Sequence, residues 1–218
     1  MKGLLIKDFK LLLGQKRFFV IVLGMGVMLM FTGGNPSSAI GYIVMLMTIF
    51  TLNTLSYDEH ENGMNFLMTL PISRKTYVQE KFVYAGILAV GAGVVSVILA
   101  SAATIMQGME LYLPEVIATA AVIAGMAMLM LAIMLPLQIK LGAEKGRMAM
   151  FAVAAVVGVV IALATKVIEK TGVNMDAAMA GIATIPPVKI AIGAIIILIA
   201  VLFVSYYVCV QIINKKEY

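Results

Sequence analysis

Of 218 residues, 62% are hydrophobic and only 12% charged, with a mean hydropathy of +1.05, against about 45–50% apolar and about 25% charged in soluble domains. No water-soluble fold of this size hides so much apolar surface, so lipid is the solvent for most of the chain. One helical bundle is expected, with no soluble domain beside it. The net charge of +5 does not point to nucleic acid, because the basic residues lie between apolar runs, where they meet anionic headgroups and set topology.

Residues 1–17 read as an interfacial amphipathic helix. Leu4, Leu5, Phe9, Leu12 and Leu13 recur at helical spacing, with Lys2, Lys7 and Lys10 off that stripe; such a helix lies in the headgroup plane. An ordinary basic flank of the first span is the plainer alternative. No small-residue cleavage site follows the first apolar run, so a removable signal is not expected.

No charge falls between Arg17 and Asp58. That length is about two crossings of a hydrocarbon core of about 30 Å, and Gly33-Gly34-Asn35-Pro36-Ser37-Ser38 interrupts it. Residues 18–56 therefore read as a hairpin of two spans, Phe18–Thr32 and Ser38–Ser56, joined by a tight outer turn.

Residues 57–81 form a loop that opens on Asp58, Glu59 and Glu61. Acids suit the positive end of a helix, and Asp58 and Glu61 have capping-box spacing. Met64, Phe66, Leu67, Met68 and Leu70 follow as a short apolar helix, and Pro71 ends it. Ser73 is placed to cap the next helix, which carries Arg74, Lys75 and Lys81. The short helix either packs on the rim of its own bundle or docks in a groove of a soluble partner, which Met suits by filling irregular surfaces.

Residues 82–213 hold four more charge-free runs, Phe82–Met109, Val116–Ile139, Met148–Thr165 and Ile190–Asn214, making six spans. Pro114 suits a first helical turn and Pro136 a kink. The outer segment 166–189 is a lid, a re-entrant piece or a plain connector, with Asn174 as a cap and Pro186-Pro187 turning the chain into the last span. Residues 214–218 are a tail. Cys209, alone of its kind and inside an apolar run, reads as packing. Glycines such as Gly24, Gly26, Gly86, Gly91 and Gly93 suit close helix contacts but fix no interface.

Thirteen Lys and Arg residues lie in the segments on one side of these spans and three on the other (Lys166, Lys170, Lys189). The richer side, with both termini, is expected to be cytoplasmic. No Asp, Glu, Lys, Arg or His falls inside a predicted span, and such groups commonly bind or relay the coupling ion of a carrier. The chain also contains no Gly-Lys pair, so it has no P-loop. No cofactor, metal site or catalytic residue of its own is expected.

The order Glu61-x-Gly63-Met64-x-x-Leu67-x-x-Leu70-Pro71-Ile72-Ser73-Arg74 after a second span, with the opening Met1-Lys2-Gly3-Leu4-Leu5-Ile6-Lys7-Asp8-Phe9, resembles a small bacterial six-span subfamily of type-2 ATP-binding-cassette (ABC) transporter permeases. The resemblance implies an all-α membrane protein with an N-terminal interfacial helix (Leu5, Phe9, Lys10, Leu12) and a cytoplasmic coupling helix. It implies that Asp58, Glu59 and Glu61 begin that helix and that Gly63, Leu67 and Pro71 shape it, with Met64, Phe66, Met68, Arg74 and Lys75 beside them at the contact. It implies two copies of a separate ABC ATPase that bind ATP and Mg, a second permease chain, the same or homologous, and a bacterial cell membrane. Export of amphipathic or hydrophobic cargo (peptide, lipid or drug) is the expected function. The alternatives are an ion-coupled or facilitative secondary carrier and a non-transporting assembly factor.

Overall fold

The computed structural model describes residues 1–32, 37–59, 63–69, 71–142 and 186–216, together with 145, 146, 148, 155, 158, 159, 162, 163 and 165. The elements among them are helices: α1 (Lys2–Gly14), α2 (Lys16–Thr32), α3 (Ser37–Glu59), α4 (Gly63–Thr69), α5 (Arg74–Met106), α6 (Leu113–Leu141) and α7 (Pro187–Lys215). Continuous helix is what lipid demands, since it satisfies every backbone group within one segment.

Among the described residues, four helices are long and apolar enough to cross a membrane, or five if α1 and α2 count as one broken span. The six expected spans are therefore not all found. α2 has only 17 residues, about 26 Å at 1.5 Å each, and meets α1 at a bend of 67°. Most of the expected fifth span, 148–165, and nearly all of the outer segment 166–189 lie outside the described residues.

Helix ends depart from the charge-free runs for a physical reason. α5 begins at Arg74, eight residues before the run at Phe82, because Ser73 caps it by accepting from the Thr76 N–H at 3.1 Å. Its 33 residues extend about 50 Å, well beyond one hydrocarbon core. Capping and backbone bonding fix where a helix begins; a hydropathy run marks only the part that lipid can accept. α6 carries Pro114 in its first turn, and α7 begins at Pro187, inside the expected outer segment.

α3, α5 and α6 pack on one another, α2 lies against α3, and α7 lies against α6 and α5. One core cluster sits at the end that carries α4, joining Leu52, Leu55, Met64, Tyr77, Leu135, Cys209 and Ile213. A second sits at the far end around Ile40, Ile43, Val44, Ala103 and Ala120. Gly26 allows the close α2–α3 approach, since a Cβ there would stand 2.8 Å from Ile43. Gly24, Gly86, Gly91 and Gly93 have nothing within 4 Å of that position. The α3 span is 61% buried and the α7 span 6%, so α7 presents its isoleucines and valines outward, as a helix in lipid can.

Polar clasps stitch this apolar bundle, two of them on α6. Pro136, inside α6, has no N–H for the Ala132 carbonyl, and Ser205 of α7 donates to that carbonyl at 2.5 Å instead. Gln138 of α6 donates to the Leu52 carbonyl at 2.9 Å and to Ser56 at 2.8 Å, both on α3.

Candidate functional site

α4 folds back against the last turn of α3. Gly63 makes this possible: a Cβ at that position would stand 2.8 Å from the Asp58 carbonyl oxygen. Met64 then inserts into the core cluster at 4% exposure, with Leu67 and Ile72 packed beside it, whereas Phe66 is 67% exposed. The helix therefore has an anchoring face and a presented face. The anchoring face packs on the bundle's own core.

The other residues expected at this contact divide. Asp58 and Glu59 belong to the end of α3 and do not start α4, so Asp58 is no cap of the short helix. The acidic cluster had suggested an N-terminus, but the span continues helically beyond its apolar run. Lys75 and Pro71 are exposed. The Arg74 guanidinium donates to the carbonyls of Ile213 (3.1 Å) and Asn214 (2.9 Å), closing the carbonyl end of α7, where a cation is favoured. Glu61 lies outside the described residues, as does the side chain of Met68.

Beneath α4 lies a buried ionic cluster that sequence reasoning missed. Lys81 of α5, 1% exposed, donates to Asp8 Oδ2 of α1 at 2.5 Å and to Thr54 Oγ1 of α3 at 3.2 Å, and pairs with Asp58 Oδ2 at 2.8 Å. Those three contacts occupy the three donors of an ammonium. Tyr77 donates to Asp58 Oδ2 at 3.0 Å, and its ring lies 5.3 Å from the Lys81 nitrogen. Lys7, on the more open side, bonds to Asp58 Oδ1 and stands 3.2 Å from Asp8 Oδ1. Tyr84 donates to the Asp8 carbonyl at 3.4 Å.

The cluster binds three elements at one point. It also revises the reading of α1: Leu5, Phe9 and Leu12 pack on Phe50, Tyr84 and Leu88 of the bundle, while Lys10, Ile6 and Leu13 are exposed. The apolar stripe of α1 covers protein as well as facing outward. Buried ion pairs add little net stability, because desolvation offsets their attraction, but they restrict which packing is allowed. The signal for the cluster was a lone acid, Asp8, four residues from Leu4 on one apolar face, with a lone Lys81 between Tyr77 and Tyr84 on another.

Glu80 stands apart. It is 0% exposed, neither carboxylate oxygen accepts a hydrogen bond, and the Lys81 nitrogen is 3.8 Å away. Among the described residues no three His, Cys, Asp or Glu side chains stand together as a metal site. The arrangement suits mechanical linkage: a surface helix wedged into the junction of α3 and α5, with α1 tied to the same junction.

Residues 3–214 match the family described as ABC-2 family transporter protein. No curated protein and no solved structure matches the chain.

Proposed function

Because the chain belongs to the ABC-2 family of transporter proteins, as a multi-pass membrane permease, we propose that it is moved by a separate ABC ATPase through α4. In this reading two ATPase copies bind ATP and Mg, and the permease pairs with a second chain, the same or homologous. α4 and both termini face the cytoplasm of a bacterial cell, consistent with the excess of Lys and Arg at that end. The coupling contact centres on Phe66 and draws also on Pro71 and Lys75, with Glu61 and Met68 assigned to it from their place in the sequence. Met64 and Leu67 anchor α4 from below, and Gly63 sets its angle.

One observation carries this reading: a single seven-residue helix buries Met64 at 4% exposure while holding Phe66 at 67%. An exposed aromatic held by a buried anchor is how a rigid knob is offered to a groove. Movement of α4 would reach α3 and α5 together, because Asp58, Tyr77 and Lys81 join those helices directly beneath it. Export of amphipathic or hydrophobic cargo, such as peptide, lipid or drug, accords with spans whose apolar runs carry no charge.

Phe66→Asp tests this reading. The chain is co-expressed with a candidate ABC ATPase from the same genome, and complex formation and ATP turnover in vesicles are measured. Since Phe66 is exposed, the variant should fold and melt as the native chain does, yet lose the ATPase or its stimulation, and Phe66→Leu should retain both. A Phe66→Asp chain that binds the ATPase and supports native turnover and transport removes α4 from the coupling path.

A further inference from the structure

Two openings run along the contact between α6 and α7. The first, of about 800 Å³, lies at the α4 end, with Pro136, Val208 and Ile212 in its walls and Lys140, Lys215 and Lys216 at the helix ends. The second, of about 360 Å³, shares Pro136 and Val208 and continues to Ala132 and Ala200. Together they form one furrow. From Ala200 to Lys215 is about 22 Å at 1.5 Å per residue, longer than the half-thickness of about 15 Å that one leaflet contributes.

The furrow has a local cause. α6 presents Ala132 and Pro136 along this face, neither long enough to fill the space opposite α7. The bond from Ser205 to the Ala132 carbonyl holds the two helices together at one level. Beside that bond the gap stays open, with Ala132 and Ser205 themselves in the wall of the second opening. Lys140, Lys215 and Lys216 line the first opening at the helix ends, and among the described residues no acid lines either opening.

We propose that this furrow binds one anionic phospholipid of the leaflet that meets the α4 end. Lys140, Lys215 and Lys216 take the phosphate and the anionic headgroup, and an acyl chain lies between α6 and α7 past Pro136. Basic pockets between spanning helices at headgroup depth favour anionic lipid over zwitterionic lipid. The occupant follows from charge complementarity joined to an apolar slot of acyl length. The site stands on the furrow alone and not on the role of α4, so the two proposals fail separately.

The chain contains no tryptophan, so Val208→Trp, at a position 38% exposed, places a single reporter in the furrow. The full-length variant is reconstituted in phosphatidylcholine vesicles with brominated phosphatidylglycerol or brominated phosphatidylcholine as quencher. Brominated phosphatidylglycerol should associate at least about fivefold more tightly, the share expected of one lysine at a membrane surface. Combining Lys140→Gln, Lys215→Gln and Lys216→Gln should bring the ratio to about one, whereas Lys2→Gln, Lys10→Gln and Lys16→Gln together should leave it unchanged.

As a measurement free of the reporter, native mass spectrometry of the otherwise unaltered chain should find one phosphatidylglycerol retained, and none after the first triple substitution. Equal quenching by both lipids refutes the anionic site. So does absence of quenching by either, which would mean that residues 147–185 or a second copy fills the furrow. Loss of the preference in the second triple variant refutes it too, by assigning the effect to general surface charge.

Discussion

Lys81→Met removes the ammonium from the buried cluster while keeping the length of the side chain. The substitution deletes contacts to Asp8 at 2.5 Å, Asp58 at 2.8 Å and Thr54 at 3.2 Å. The two carboxylates are not left equally. Asp58 retains Lys7 and the Tyr77 hydroxyl, whereas Asp8, 0% exposed, retains Lys7 at 3.2 Å. Removing one partner of a buried pair costs about 3–5 kcal/mol, largely as the penalty of the stranded charge. Most of that cost should therefore fall on Asp8. At roughly 2–4 °C per kcal/mol for a chain of this size, Tm in detergent micelles should drop by about 6–20 °C. Adding Asp8→Asn removes the stranded charge and should recover up to about 3 kcal/mol of the loss, the upper range of coupling between contacting residues. Thermal unfolding followed by circular dichroism, with monodispersity by gel filtration, reads both changes. A Lys81→Met chain that melts within about 2 °C of the native one, or a double variant whose loss is the sum of the single losses, refutes the argument.

Ser205→Ala leaves the Ala132 carbonyl without its donor and should cost about 1–3 kcal/mol. Adding Pro136→Ala supplies an intrahelical N–H and should restore most of the loss, and no recovery in Tm would discard the explanation of the clasp. Glu80→Met replaces a buried carboxylate that accepts no hydrogen bond with an apolar chain of similar length, so Tm should hold or rise, since the cost of burying an unbonded polar group is removed. A fall of several degrees would mean that Glu80 has a partner worth keeping. Gly63→Ala forces a Cβ to within 2.8 Å of the Asp58 carbonyl, an overpacking cost of about 1–3 kcal/mol confined to the α3–α4 junction. Amides of α4 should exchange hydrogen faster while those of α5 do not; unchanged exchange in α4 would show that the turn relaxes freely.

Some of these positions were legible as letters in the chain and some were not. The Ser73 cap, the Pro114 helix start and the packing of Cys209 were readable because each depends on neighbours in sequence or on its own hydrophobicity. The break between α1 and α2 at Gln15 falls close to the expected boundary at residue 17. The placement of Asp58 and Glu59 was misread, because an acidic cluster is equally compatible with the end of one helix and the start of another. Arg74 gave no sign that its guanidinium would close α7 by bonding to the Ile213 carbonyl, 139 residues further along the chain.

Composition and hydropathy determined the solvent of this protein and its helical character, because the transfer of a side chain into lipid is a property of that residue alone and sums along a window. The junction of α3, α4 and α5 was ordered by the same local logic of apolar run, proline stop and serine cap. Tertiary structure decided which charges meet. Asp8 and Lys81 are 73 residues apart, and Lys7 and Asp58 are 51 apart. An ion pair has no value until both partners are brought together and dried. Nothing in either segment alone specifies that meeting; the packing of α1 across α3 and α5 does.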